Sequence, residues 1–247
     1  MPTPHAEARP RPPADFAALL DTEVPVLLVG GQAVNLWALY YRDRTSDLAP
    51  FVSRDADVLG DQETLAQLGR AIGVNPTFFP IHPPSNEIGF VVTKDPAGLP
   101  LLVEVLRYVN GVTNEELREP VYEFAVGRKP VTLRVPGPIA LLKAKISNVA
   151  VIKQTGRQDA RHVAILARVL PVHLADLQNA AISGRIAERK LLDSVEQLVA
   201  IVTDQTAQRI LMDLGLKPAA FFSELTGEQL PRLRGFLEKR LPRLFLG

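Results

Sequence analysis

The sequence predicts an α+β protein in which a mixed β-sheet with flanking helices is followed by helices alone. Short apolar runs rich in β-branched residues, which are typical of buried strands, occur before residue 136. Beyond Pro138, which suits the first position of a helix, apolar residues recur at spacings of three and four. We therefore predict an α+β domain over 15–136 and a helical C-terminal domain over 137–247.

The start of the chain differs in composition from the rest. Residues 1–13 contain five prolines and no apolar run. A segment of this composition buries too little apolar surface to offset the entropy of ordering it. The sequence predicts a disordered proline-rich arm over 1–14.

The α+β part alternates between strand and helix patterns. A short amphipathic helix is predicted at 15–20, and a buried strand at 24–29 leads through Gly30-Gly31 into a helix at 32–41. The polar, turn-rich stretch at 42–53 predicts a loop. The remaining patterns predict strands at 56–59, 87–93, 101–108, 121–126 and 131–134, and a helix at 62–72. The C-terminal part predicts helices at 139–153, 157–170, 185–214 and 229–241.

The composition excludes several kinds of site. The chain has no cysteine, which removes disulfides, thiol nucleophiles, iron–sulfur clusters and cysteine-bound zinc. Its four histidines show no ligand spacing, so a bound metal would need oxygen ligands, as magnesium, manganese and calcium do. The uncharged stretch 24–41 is interrupted by proline, glycines and amides, and the N-terminus resembles no signal peptide. We expect a cytoplasmic protein with no membrane partner.

The net charge of +1 hides an asymmetry. Residues 1–130 carry 11 basic and 17 acidic side chains, whereas residues 131–247 carry 17 basic and 10 acidic ones. The basic half leans towards a polyanionic partner such as RNA, although a solvated helical surface explains the same charges.

The Gly30-Gly31 pair is a candidate phosphate site. Glycines between a strand and a helix let the backbone approach a ligand closely, and they leave unpaired amides at the positive end of the helix. A tight turn with no ligand is the alternative.

Three carboxylates are candidate metal ligands. Asp55 and Asp57 are two residues apart at the start of a predicted strand, so their side chains would share one face. Two such charges repel each other unless a cation lies between them, although a solvated turn is also consistent with the pattern. Glu104 lies among five apolar residues in a later strand. It either faces water from an edge strand or joins the two aspartates as a third metal ligand.

This order of motifs resembles the nucleotidyltransferase fold of the DNA polymerase beta type, and most nearly the bacterial AbiEii-type toxins and minimal nucleotidyltransferases. The resemblance implies that Gly30 and Gly31 touch nucleotide triphosphate. It also implies that Asp55 and Asp57 coordinate Mg²⁺ or Mn²⁺, and that Glu104 takes the third acidic position. Gly31 stands where some relatives carry a serine whose hydroxyl reaches phosphate.

The resemblance continues into the helical part. Residues 138–145 and the segment Gly-Arg-Gln-Asp at 156–159 resemble a helical lysine followed by an R-x-D segment. It implies that Lys145, preferred here to Lys143, and Arg157 contact phosphate, and that Asp159 is a candidate general base. The alternative is that Lys143 and Lys145 are both solvated surface lysines.

The activity implied by the resemblance is Mg²⁺-dependent transfer of a nucleotidyl group from a nucleoside triphosphate, such as ATP, to a hydroxyl or amine. RNA such as a tRNA end, a protein side chain and a small molecule remain open as acceptors. In a toxin–antitoxin system the partner would be an antitoxin protein. A catalytically silent module that binds a nucleotide or a partner is the alternative to an enzyme.

Overall fold

The strands of the chain form one mixed sheet, as a computed structural model of the chain shows. This structure describes residues 8–23, 25–80, 82, 85–127 and 129–245. Within them the strand order is β3-β4-β5-β2-β1-β7-β6. The strands are β1 (Leu27–Val29), β2 (Asp55–Leu59), β3 (Thr77–Phe78), β4 (Glu87–Lys94), β5 (Pro100–Leu106), β6 (Val121–Val126) and β7 (Val131–Pro136). The α+β class and the mixed sheet predicted from the sequence are confirmed.

Helices surround the sheet and account for the chain beyond it. They are α1 (Pro13–Ala17), α2 (Gly30–Tyr40), α3 (Arg42–Thr45), α4 (Gln62–Ile72), α5 (Asn114–Arg118), α6 (Pro138–Val151), α7 (Asp159–Ile182), α8 (Glu188–Val202), α9 (Gln205–Asp213), α10 (Pro231–Gly235) and α11 (Leu241–Phe245). Short 3₁₀ turns at Ser46–Leu48 and Pro218–Phe222 and a π-helical turn at Phe236–Arg240 complete the elements.

The centre of the sheet combines both strand directions. Strand β1 runs antiparallel to β2 and parallel to β7, and β2 runs parallel to β5. In the β2–β5 register Asp57 pairs with Glu104. Because side chains of directly paired residues lie on the same face of a sheet, this register brings two of the predicted carboxylates together.

The sheet and the C-terminal helices share one hydrophobic core. A single cluster of buried side chains includes Val58 and Val103 of the sheet, Leu142 of α6, and Val163 and Leu166 of α7. All five side chains are completely buried. The α+β part and the helical part of the chain therefore pack around a common hydrophobic core.

Several element boundaries differ from the predictions. The segment 42–53, predicted as a loop, holds α3 and a 3₁₀ turn, because Thr45 anchors it by donating its hydroxyl to Ala38 O at 2.7 Å and Tyr41 O at 3.1 Å. Helix α7 continues through Pro171 to Ile182, whereas the sequence pattern predicts an end at 170. The predicted helix at 185–214 is two helices, because Asp204 caps α9 by accepting from two backbone amides.

Other differences concern short elements. Strand β1 is shorter than the predicted strand at 24–29, of which residue 24 lies outside the described residues. The sequence does not predict strand β3 and helix α5, because elements of two and five residues carry too few positions to show a period. The predicted helix at 229–241 is broken into α10, the π-helical turn and the start of α11.

Residues 8–14 of the N-terminal segment contact the rest of the fold. Residues 1–7 of the predicted disordered arm lie outside the described residues. In the rest, Arg11 and Ser53 exchange two backbone hydrogen bonds of 2.8 and 3.0 Å, and Gln32 Nε2 donates to Arg11 O at 3.0 Å. This pairing satisfies backbone groups through a distant partner, which a composition argument cannot anticipate.

The shared core predicts cooperative unfolding. Leu142→Ala should lower the free energy of unfolding by about 2–5 kcal/mol, because it opens a cavity between α6 and the sheet. Urea unfolding followed by Trp37 fluorescence and by far-ultraviolet circular dichroism should give one shared transition that shifts with the variant. Val151→Ala, in the same helix but 70% exposed, is the matched control and should leave the midpoint unchanged. Two separate transitions would contradict the shared core.

Candidate active site

A cavity of about 430 Å³ opens where β1, β2 and β5 meet helices α2, α6 and α7. Every residue that the sequence singled out as a site residue lines it: Gly30, Gly31, Asp55, Asp57, Glu104, Lys145, Arg157 and Asp159. The residues come from elements and loops that are far apart along the chain. The fold therefore brings the predicted site residues together around one cavity.

Gly30 lets a carboxylate lie against the start of α2. Its φ of +64° belongs to the left-handed region, which glycine adopts at little cost. A Cβ atom at this position would lie 1.8 Å from Asp57 Oδ2, closer than atoms can approach. The glycine is therefore required by two independent constraints, the backbone angle and the contact with Asp57.

Gly31 leaves room for a hydroxyl from another segment. A Cβ atom at Gly31 would lie 2.8 Å from Ser53 Oγ and 3.1 Å from His162 Cε1. Ser53 also donates its hydroxyl to Asp55 Oδ1 at 3.1 Å. The Ser53 side chain thus lies next to the place that a side chain at position 31 would occupy.

The acidic side of the cavity is formed by neighbouring strands. Asp55 and Asp57 share one face of β2, and Glu104 of β5 is paired with Asp57 and only 6% exposed. Glu87, at the start of β4, also lines the cavity and was not singled out by the sequence. The sheet therefore brings four carboxylates to one wall.

Crowding of these acids changes their proton affinity. Loss of contact with bulk water, followed by the charge of Asp55, raises the pKa of Asp57 to about 7. Burial, followed by the charge of Asp57, raises the pKa of Glu104 to about 9. In both residues burial is the main cause of the raised pKa and a neighbouring carboxylate is the second.

The acidic wall suits a hard cation in its chemistry. Its donors are carboxylate oxygens, which Mg²⁺ and Mn²⁺ prefer, and Gly30 provides a face without a side chain beside Asp57. Among the described residues no three histidine, aspartate or glutamate side chains form a ready-made metal site. The residues fit a divalent ion by donor type and shared face, and their side chains would have to close around it.

The opposite wall is cationic and is organised by Asp159. The Asp159 carboxylate, 2% exposed, accepts from Lys145 Nζ at 2.9 Å, from Asn148 Nδ2 at 3.2 Å and from Arg157 Nε at 2.7 Å. Burial alone would raise the pKa of Asp159, but Lys145 and Arg157 together hold it well below its ordinary value. A carboxylate so fully paired is a weak proton acceptor. Its position indicates that Asp159 orients the lysine and the arginine, whereas the resemblance suggested a general base.

The structure distinguishes the two candidate lysines. Lys145 is 6% exposed and lines the cavity, whereas Lys143 Nζ lies 2.6 Å from Glu116 Oε1 on another face of α6. Arg161 is also directed elsewhere, because its guanidinium donates to Leu48 O and Pro50 O. Lys145 and Arg157 therefore form the cationic wall opposite the acids.

Sequence reasoning missed Ser53, Glu87, Asn148 and His162, all of which line the cavity. Two of them carry a local signal. Asn148 follows Lys145 by three residues in α6, and His162 follows Asp159 by three in α7, so each shares a helical face with a predicted site residue. Nothing in the sequence around Glu87 connects it with the aspartates.

Comparison of the chain with protein-family models, with curated proteins and with solved structures found no match. In the part of the chain that the structure describes, no helix combines the length and the apolar character needed to cross a membrane.

The pairing of Asp159 predicts a large, pH-dependent effect on stability. Asp159→Asn should lower the free energy of unfolding at pH 7 by about 3 kcal/mol, because it leaves Lys145 buried without a counter-charge. The pKa of Asp159 is lower in the folded than in the unfolded protein. Its contribution is therefore complete above the unfolded value of about 4 and is lost as the pH falls below it.

Urea unfolding of wild type and variant at pH 7, 4 and 3 tests this effect, and the difference between them should shrink across the series. The control is Asp193→Asn, which removes an exposed pair with Arg189 and should change stability by less than about 0.5 kcal/mol. A difference that is constant with pH would contradict the role given to the Asp159 charge.

The contact between Gly30 and Asp57 can be tested against a second glycine. Gly73 has a similar φ of +76°, but a Cβ atom there would meet nothing within 4 Å. Gly73→Ala should cost about 1 kcal/mol in unfolding free energy, from backbone conformation alone. Gly30→Ala should cost about 1–3 kcal/mol more, because it also displaces Asp57. If Gly30→Ala and Gly73→Ala lowered the unfolding free energy equally in thermal or urea unfolding, the proposed contact between position 30 and Asp57 would be contradicted.

Proposed function

We propose that the chain is a metal-dependent nucleotidyltransferase that binds a nucleoside triphosphate in the 430 Å³ cavity and transfers its nucleotidyl group to a hydroxyl or amine acceptor. One observation carries the proposal. A helix that begins with two glycines, a wall of carboxylates on adjacent strands and a lysine–arginine pair all face one cavity. Each of these features suits a different part of a triphosphate with its cation.

The phosphate end of the nucleotide would lie at the start of α2. The first amides of a helix have no partner within the helix, and the helix dipole favours negative charge there. The Gly30-Gly31 turn leaves this backbone uncovered by side chains of its own. Lys145 and Arg157 face the same space, held in place by Asp159, and would neutralise phosphate charge.

Asp55, Asp57 and Glu104 would hold Mg²⁺ or Mn²⁺ on the acidic wall. When bound, such an ion neutralises charge on the phosphates and favours ionisation of the acceptor. The acceptor oxygen or nitrogen forms a bond to the α-phosphorus, the bond from this phosphorus to the pyrophosphate oxygen breaks, and pyrophosphate leaves. The proton of the acceptor passes to solvent. The contribution of the protein is to position the reactants and to stabilise charge, as in other phosphoryl-type transfers.

The acceptor and the biological setting follow from the resemblance to AbiEii-type toxins. On this proposal the acceptor is RNA, such as a tRNA end, a protein side chain or a small molecule, and an antitoxin protein would be the partner. The basic excess of residues 131–247 supports RNA among these acceptors.

Transfer of labelled nucleotide tests the proposal. The protein is incubated with each of four α-³²P-labelled nucleoside triphosphates, Mg²⁺ and total RNA, and label in RNA and in protein is measured after electrophoresis. Asp57→Asn should reduce transfer by at least about a thousandfold, because it removes a charge from the metal-binding wall. Asp61→Asn, just beyond the other end of the same strand and still able to cap α4, is the control and should retain wild-type transfer.

The possible outcomes separate the hypotheses. Transfer that survives Asp57→Asn would place the activity outside this cavity. Binding of a nucleotide with no transfer to RNA, protein or aminoglycoside acceptors would favour the silent module. In that case Asp55, Asp57 and Glu104 would contribute to nucleotide binding without catalysing transfer.

A further inference from the structure

His162 is an unassigned polar residue in the wall of the cavity. It lies in α7, three residues after Asp159, and it is only 4% exposed. It lines the cavity together with Gly31 and Ser53. It therefore touches the space in which the proposed function places phosphate.

The ring of His162 approaches the glycine turn with its Cε1 atom. Its Cε1 atom lies 3.1 Å from the position of a Cβ atom at Gly31. Cε1 lies between Nδ1 and Nε2 in the ring, so both nitrogens are bonded to the atom that lies nearest to the turn. Within the described part of the chain neither nitrogen has a hydrogen-bond partner. A buried imidazole normally has at least one.

His173, eleven residues further along the same helix, provides a direct comparison. It is also 4% exposed, but its Nε2 lies 3.3 Å from the Tyr122 hydroxyl, in an aromatic cluster with Trp37. The two histidines are matched in burial and in element. They differ in hydrogen bonding: His173 has a partner in the protein, and His162 has none among the described residues.

The surroundings keep His162 neutral. Burial, followed by the charge of Lys145, lowers its pKa well below 6.5, with Arg161 and Arg157 acting in the same direction and Asp159 against them. A neutral imidazole carries one N–H donor and one acceptor nitrogen. Such a ring can donate to an anionic oxygen without adding another positive charge to a wall that already holds Lys145 and Arg157.

We propose that His162 is a ligand-binding residue whose ring N–H donates a hydrogen bond to a phosphate oxygen of the nucleoside triphosphate held at the Gly30-Gly31 turn, an inference that rests on the proposed function. The ligand would satisfy a donor that the protein leaves unsatisfied. This hydrogen bond would favour binding of a phosphate at the turn. This makes His162 a determinant of affinity, with no part in the transfer step itself.

Binding and stability together test this inference. Affinity for ATP in the presence of Mg²⁺ is measured by isothermal titration calorimetry, and the unfolding midpoint of the ligand-free protein by calorimetry. His162→Leu should weaken ATP binding about tenfold, the effect of losing one hydrogen bond to a charged group. It should also leave the midpoint unchanged or raise it, because an unsatisfied buried polar edge disappears. His162→Gln, which retains a donor, should bind with intermediate affinity.

His173→Leu is the matched control. It removes a satisfied histidine, so it should lower the unfolding midpoint and leave the ATP affinity at the wild-type value. Wild-type affinity in His162→Leu would overturn the inference, as would a loss of stability equal to that of His173→Leu. A wild-type protein that binds none of ATP, GTP, CTP and UTP would instead refute the proposed function, and this result is distinct from the other two.

Discussion

The contact between Asp57 and Gly30 is the constraint on which the rest of the cavity depends. The carboxylate of β2 lies against the first residue of α2 because position 30 has no Cβ atom and adopts a φ that other residues avoid. This contact brings the acidic wall to the positive end of a helix, where negative charge is favoured. The register of β2 with β5 then places Glu104 beside Asp57, and Ser53 lies close to Gly31.

Opposed charge is the second organising feature. Asp55, Asp57, Glu87 and Glu104 belong to the sheet, whereas Lys145 and Arg157 belong to α6 and the loop before α7, so the charge asymmetry of the sequence reappears as two facing walls. The walls are not balanced in the same way. Asp159 pairs with both Lys145 and Arg157 and leaves one positive charge in excess, whereas burial and mutual repulsion raise the pKa values of Asp57 and Glu104. A bound cation would reduce the repulsion between the acids, and the basic wall would attract a polyanion.

Local patterns predicted the fold class, most strands and the candidate residues Asp55 and Asp57, because each depends on a period or a motif within a few residues. Lys145 became a candidate through the family resemblance. Partnerships over long separations could not be predicted. The pairing of Arg11 with Ser53 and the position of Glu87 depend on how the strands assemble, and neither has a local signal. The continuation of α7 through Pro171 has the same cause, since burial of Leu170 and Leu174 on both sides outweighs the lost backbone hydrogen bond.

Ser53 shows how assembly can alter the meaning of a sequence departure. On the resemblance alone, glycine at position 31 removes a hydroxyl that some relatives direct at phosphate. In the folded chain the Ser53 hydroxyl lies 2.8 Å from where a side chain at position 31 would begin. Glycine at 31 is then what makes room for Ser53 and for the edge of His162, so a serine introduced there would compete with both. Side chains around the turn thus come from two segments that are distant from it in the sequence, and a motif within one segment detects only the backbone that they surround.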